Sequence, residues 1–237
     1  MQMSYCFSQN YIKKIPGFLI AYWMGNGFVK LFENEKKLGD KTELNCGIKT
    51  GNNELFLRYW HEIDDSKTCH TPHVSSNGYK WFYYNKGGGY QKWYGGYEHV
   101  IDFEKKGDRI KTLISKDTYR LREPKNYFHA ALIWPLIGDI RFSAREMPSN
   151  VLPDIACNAI FDYDYCLLGY MNSKPFNECM KFINSTVSYP IDSVANVPIK
   201  SIESEKVDGL TKENVELSKK DWDSFENSWE FKRHPLI

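Results

Sequence analysis

Residues 80–104 read KWFYYNKGGGYQKWYGGYEHVIDFE: an aromatic block, a basic glycine run and an alternating tail. In the tail, Tyr97, His99, Ile101 and Phe103 fall on one side, while Glu98, Asp102 and Glu104 fall on the other. That period of two is the pattern of a half-buried strand. The block at 80–84 has the Trp, Phe and Tyr content of a second strand, and the glycines between the two supply the turn. A sheet therefore lies in the middle of the chain.

Further strands are expected at 127–134, 139–145 and 155–161, with a mostly polar helix around 107–117. Upstream, GIKTGNNELFLRYWHEI (47–63) is a Gly- and Asn-rich turn feeding a strand, and Phe28, Leu31 and Phe32 share one face of a short helix that stops near Gly39. Downstream, Ser173 and Pro175 open the clearest amphipathic helix, with Phe176, Cys179, Met180 and Ile183 at i, i+3, i+4 and i+7. Residues 201–215 (SIESEKVDGLTKENV) are polar without a period and read as a linker. Ser218 and Asp221 then make a weak capping signature ahead of a helix bearing Trp222, Phe225 and Trp229. The expected fold is α+β: a twisted mixed sheet with flanking helices over residues 1–200, the linker, and the start of a C-terminal helical segment at 216–237.

The 237 residues are enough to bury a sizeable core, and 42% hydrophobic with 16% aromatic content is globular. Thirty-one Lys and Arg against 30 Asp and Glu leave a net charge of +1, so any attraction to a polyanion must rest on local clustering. Residues 78–94 hold Lys80, Lys86 and Lys92 without an acid, whereas 202–226 are acid-rich. Six scattered cysteines and a start (MQMSYCFSQN) without a secretory pattern imply reduced thiols in a cytoplasmic protein. The longest apolar run, 130–137, is broken by Pro135, so no membrane partner is expected.

Enzyme signatures are sparse. NKGGGY (85–90) lacks the spacing of a nucleotide-binding loop. His61, Cys69, His70 and His73 offer metal-ligand types but no second pair at zinc spacing, and read as a polar surface loop. The pairs Asp64/Asp65 and Asp162/Asp164 suit loop solvation and helix capping. A metal-dependent nuclease needs a carboxylate and lysine cluster that the sequence does not display.

Binding chemistry is better represented. Lysines interleave with Trp81, Tyr83, Tyr90, Trp93 and Tyr94 around glycines, a combination that neutralises phosphates and stacks on bases. A hairpin whose aromatics are core has the same composition, and one strand face can serve each purpose. Lys49, Thr50, Asn52, Asn53 and Arg58 surround the GIKTGNN turn; Asn and Arg pair with adenine and guanine edges, although Asn also favours turns for local reasons. In the nucleic-acid reading Lys86, Lys92 and Arg58 contact phosphates, Asn52, Asn53 and Gln91 meet base edges, and Trp93 and Tyr94 stack or wedge. Lys49, Thr50, Lys80 and Tyr90 complete that set. Arg120, Arg122, Arg141 and Arg145 are further candidates or surface ion pairs.

The succession KIPGFLIAYW (14–23), GIKTGNNELFLRYWHEI (47–63), residues 80–104, ALIWPLI (131–137), LLGYMNSKPF (167–176), VANVPI (194–199) and ELSKKDWDSFENSWEFKRHPL (216–236) resembles the C-terminal half of the adenine-specific DNA methyltransferases of BREX phage-defence systems and related restriction-modification methylases. In that family an N-terminal domain binds S-adenosylmethionine and presents an Asn/Asp-Pro-Pro-Tyr/Phe motif to the flipped adenine. Neither that motif nor the glycine motif of the cofactor site occurs here. The resemblance implies a target-recognition region, the segment from LLGYMNSKPF through VANVPI being similar to specificity domains of type I restriction systems. It implies no cofactor in this chain and S-adenosylmethionine in the parent enzyme. Double-stranded DNA, the parent's methyltransferase domain and other defence-system subunits are the implied partners. The rival is a protein-interaction module docking through Trp222, Phe225 and Trp229.

Overall fold

The computed structural model describes residues 26–71, 78–122, 124–184, 186–199, 204–234 and 236. The described residues open with α1 (Asn26–Asn34), β1 (Lys36–Lys37), β2 (Leu44–Cys46), α2 (Asn53–Phe56), β3 (Leu57–Tyr59), β4 (Thr68–Cys69), β5 (Trp81–Asn85), β6 (His99–Asp102) and α3 (Asp108–Leu113). It continues through β7 (Ala131–Pro135), β8 (Arg145–Met147), β9 (Val151–Pro153), β10 (Cys157–Ile160), α4 (Tyr165–Met171), α5 (Lys174–Ile183), α6 (Ile191–Ala195), β11 (Pro198–Ile199) and α7 (Glu205–Trp222). The expected α+β fold with flanking helices is present, its strands divided between two main sheets and a ribbon.

The first sheet has the order β2-β10-β7-β8 and is antiparallel throughout. In the second, β5 pairs antiparallel with β6, which pairs antiparallel with β3. The other edge of β5 is shared by two short parallel strands, β4 opposite Trp81 and Phe82 and β9 opposite Tyr83, Tyr84 and Asn85. The ribbon joins β1 to β11.

Every residue of β5 is buried, because both of its faces are covered. Trp81, Tyr83, Val100 and Val151 enter the large core beneath the first sheet and helices α4 to α7. Phe82, Tyr84, Ile101 and Leu152 enter a smaller core with Ile48, Phe56, Leu57 and Ile110. A strand buried on both faces reads as an unbroken apolar run, which is why residues 81–84 do not alternate.

Helix α5 begins where expected: the Ser173 side chain accepts from the Phe176 amide, proline stands in the first turn, and Phe176, Cys179 and Met180 are buried. Asp164 caps α4 by accepting from Leu167 N. Other boundaries differ. The strand expected at 139–145 begins only at Arg145, with a bend at Ile140 and Arg141 before it. Glu205 to Val215, read as linker, form the first half of α7, capped by Ser204; Ser218 and Asp221 lie within that helix and do not cap it. The apolar contacts of α7 are spaced widely, at Thr211, Val215 and Trp222, so a short window shows no period. Of the expected aromatic stripe Trp222 ends α7, while Phe225 and Trp229 lie in bends and turns beyond it. Trp229 stacks on Tyr83 with ring centroids 3.8 Å apart, and Phe225 is 49% exposed.

Candidate nucleic-acid interface

Two loops project from the second sheet, and one carboxylate ties them together. The turn at 47–53 enters with Gly47, where an added Cβ would lie 2.1 Å from Pro153 O and 2.3 Å from Asp154 O; only glycine fits. That closeness lets Ile48 N donate to Pro153 O (2.7 Å) and Ile155 N donate to Ile48 O (2.8 Å). The glycine loop leaves β5 at Asn85, whose carbonyl accepts from Asp154 N at 2.8 Å. Asp154 is 2% exposed. Its carboxylate accepts from Tyr84 OH at 2.7 Å, from Lys86 Nζ at 3.1 Å and from Ala156 N at 2.7 Å. Tyr84 OH also reaches Ile48 O at 3.0 Å, closing the link from one loop to the other.

On the first loop, Lys49 and Arg120 form an antiparallel bridge, each amide donating to the other's carbonyl at 2.8 Å. Both side chains are exposed. Asn52 caps α2, accepting from Leu55 N at 3.1 Å, and Asn53 accepts from Thr50 Oγ1 at 2.7 Å; both remain exposed. On the second loop, Gly88 and Gly89 are exposed. Arg141 comes alongside, its guanidinium 4.6 Å from the centre of the Tyr90 ring. The geometry thus sets Arg120 beside Lys49, with Asn52 and Asn53 on the same loop, holds Lys86 against Asp154, and pairs Arg141 with Tyr90 on the second loop.

Several expected contact residues face the protein. Thr50 is 1% exposed and Tyr94 5%. The Tyr94 ring packs edge-on against Tyr97, and burial raises its phenol pKa. Arg58 folds back onto the carbonyls of Glu54 and Leu57, both at 2.6 Å. Gln91 turns inward, Nε2 donating to Tyr94 O at 2.9 Å. Lys92 Nζ caps the Asn172 carbonyl at 2.7 Å. Trp93 adopts φ of 72° and packs against the large core. Lys80 sits at the far end of β5, 3.7 Å from the buried Asp102. The local acid-free stretch is therefore largely neutralised in three dimensions by Asp102 and Asp154. Arg145 is 1% exposed and donates to Gly87 O at 2.7 Å; it builds the glycine loop from within.

The histidine group does not converge. His61 stacks on Tyr59, Cys69 is buried, and His70 lies between Tyr83 OH (2.8 Å) and Asp65 (3.1 Å); His73 lies outside the described residues. Among the described residues no group of three or more His, Cys, Asp or Glu is placed to hold a metal ion. None of the described helices is long and apolar enough to cross a membrane.

No protein-family model matches the sequence. Two curated relatives align with it along nearly its full length. The chain is similar to one part of the adenine-specific methyltransferases. PglX of Lacticaseibacillus casei (strain Zhang) is 34% identical over 241 residues, covering 97% of this chain and 20% of PglX. BrxX of Escherichia coli O9:H4 (strain HS) is 34% identical over 236 residues, covering 97% of this chain and 19% of BrxX. The chain spans about one fifth of the length of PglX and BrxX. Among solved structures, the Type IIL restriction-modification enzyme MmeI, determined in complex with DNA, shares the fold at a TM-score of 0.51 and 13% identity, over 83% of this chain and 30% of MmeI.

Sequence reasoning did not single out Asp154, which sits in the unremarkable run VLPDIA. Its signal was latent in Gly47 and Pro153, but nothing in one sequence pairs residues so far apart. Arg120 and Arg141 were visible as cations without a geometric reason to prefer them.

Proposed function

We propose that this chain is a DNA target-recognition module of an adenine-specific methyltransferase, reading duplex sequence for a methyltransferase domain outside these 237 residues. The likeness to PglX and BrxX along 97% of the chain carries the proposal. Two further observations support it. MmeI, which shares the fold, was determined with DNA, and the two-loop face offers cations for phosphates beside exposed asparagines for base edges. In this reading Lys49, Arg120 and Arg141 fix the register on the backbone, while Asn52 and Asn53 meet bases. S-adenosylmethionine and the transfer step belong to the other domain, as does the cost of unstacking the target adenine. The interaction-module reading loses ground, since Trp229, half-buried, is stacked on Tyr83 and Trp222 packs on the glycine loop's base at Gly95.

Fluorescence anisotropy with a randomised duplex pool at several salt concentrations tests this. Binding should weaken linearly in log salt, and Lys49→Ala with Arg120→Ala should make that slope shallower by about 0.9 for each phosphate that is no longer neutralised. Absence of salt-dependent binding in the unsubstituted chain would refute the proposal.

A further inference from the structure

Among the described residues the buried guanidinium of Arg145 has no carboxylate partner. Its contacts are all neutral oxygens: Gly87 O at 2.7 Å, Gln91 Oε1 at 3.4 Å and Asn85 Oδ1 at 3.5 Å, and Nε has no partner. The neighbouring Glu146 turns its carboxylate to Tyr163 and Tyr165. The Cys157 thiol, pushed up to about 12 chiefly by burial, stays protonated beside it. Asp154 is the buried acid of this region and already holds Lys86. Asp154 thus answers Lys86 and makes no hydrogen bond or ion pair with Arg145, and a buried charge left uncompensated is costly unless something balances it.

The loop indicates where the balance enters. Gly87 directs its carbonyl inward to Arg145, and every described peptide bond is trans. In a trans peptide the following N–H points opposite to the carbonyl, so the Gly88 amide faces away from Arg145, toward solvent. That amide donates to no protein group among the described residues. Gly88 is exposed, and the positions where Cβ atoms of Gly88 and Gly89 would stand have no neighbour within 4 Å. The guanidinium thus polarises a peptide unit whose positive end opens onto free space, with Arg141 held against Tyr90 two residues on.

We infer that the Gly88 amide, backed by Arg145 and flanked by Arg141, is a seat for one phosphate group of the duplex backbone. This rests on the target-recognition reading for the source of the phosphate, and Arg145 is a positioning residue that does not touch the ligand. Gln91→Glu places a carboxylate against the guanidinium, whereas Gln91→Ala removes the same amide without adding charge. Relative to Gln91→Ala, Gln91→Glu should weaken duplex binding several-fold and make the log-salt slope shallower by about 0.9, with near-ultraviolet circular dichroism confirming that both variants keep their packing. Equal affinity and slope for the two variants would overturn the inference while leaving DNA recognition standing. A second arm titrates inorganic phosphate and follows the amide resonances of Gly88 and Gly89. Saturable shifts in the unsubstituted chain that vanish in Gln91→Glu support the seat even if duplex binding fails; no shift in the unsubstituted chain refutes it.

Discussion

Replacing Asp154 with alanine removes the one group that both loops share, and the cost follows from its three donors. Ala156 N has no other acceptor, so its amide is left unpaired; a hydrogen bond to a charged acceptor contributes about 1.5–3 kcal/mol. Tyr84 OH retains Ile48 O at 3.0 Å, so its loss is near the lower end of that range. Lys86 is 36% exposed along its side chain and water replaces much of what it loses, leaving at most about 1 kcal/mol. Together these give roughly 3–5.5 kcal/mol, and at about 2–4 °C per kcal/mol for a chain of this size the melting temperature falls by roughly 6–22 °C. Asp154→Asn keeps one acceptor oxygen and should cost about half as much. Thermal and urea unfolding followed by circular dichroism measure both variants. A loss below about 1 kcal/mol for Asp154→Ala, or unchanged DNA affinity despite the full loss, refutes the role of Asp154 as the common anchor.

Gly47→Ala drives a methyl into the Pro153 and Asp154 carbonyls and should destabilise by at least about 3 kcal/mol in urea unfolding; a cost under about 1 kcal/mol would show that the turn can shift away. Trp229→Ala removes the stack on Tyr83 and should cost about 2–3 kcal/mol, with a changed near-ultraviolet spectrum, whereas an unchanged melting temperature would make the C-terminal tail independent of the core. Burial is the main cause holding the His99 pKa below the usual histidine value, with the Lys86 charge acting the same way against Glu98, Asp154 and Glu62. The unfolded chain therefore binds the proton more readily, so stability is full above about pH 6.5 and declines as pH falls from there toward the folded pKa. His99→Asn should flatten that acid-side decline in melting temperature, and an identical pH profile would exclude His99 as its source.

Local signals in the sequence carried far. Ser173 and Pro175 placed α5 because capping and first-turn proline act within four residues. The run at 97–104 located β6, but not its faces: Val100, Ile101 and Asp102 are all buried, the Asp102 charge being met by Lys80 and Arg109. Longer-range facts were not legible. Tyr94 and Trp81 have the same composition whether they meet a base or a core, and only the packing of Trp222, Trp229 and α7 over that region decides for the core. Lys86 looked like a free cation until the chain brought Asp154 to it from 68 residues away. The residues left exposed on the first loop, Lys49, Asn52 and Asn53, were all visible in advance, as was the half-buried Tyr90 on the second; the backbone tie of the first loop to Pro153 and Asp154 was not.

The order of the strands also constrains how the molecule is made. Among the described residues β2 pairs with β10, through Leu44 and Ile160, and β1 with β11, through Lys36 and Ile199. β1 and β2 thus leave the ribosome well before the strands they pair with. Such distant pairings slow the search for the native topology and lengthen the time that a partly synthesised chain can stick to its neighbours. A version truncated before Cys157 would leave β2 with no strand to join, and is expected to accumulate as aggregate rather than as a smaller binding unit.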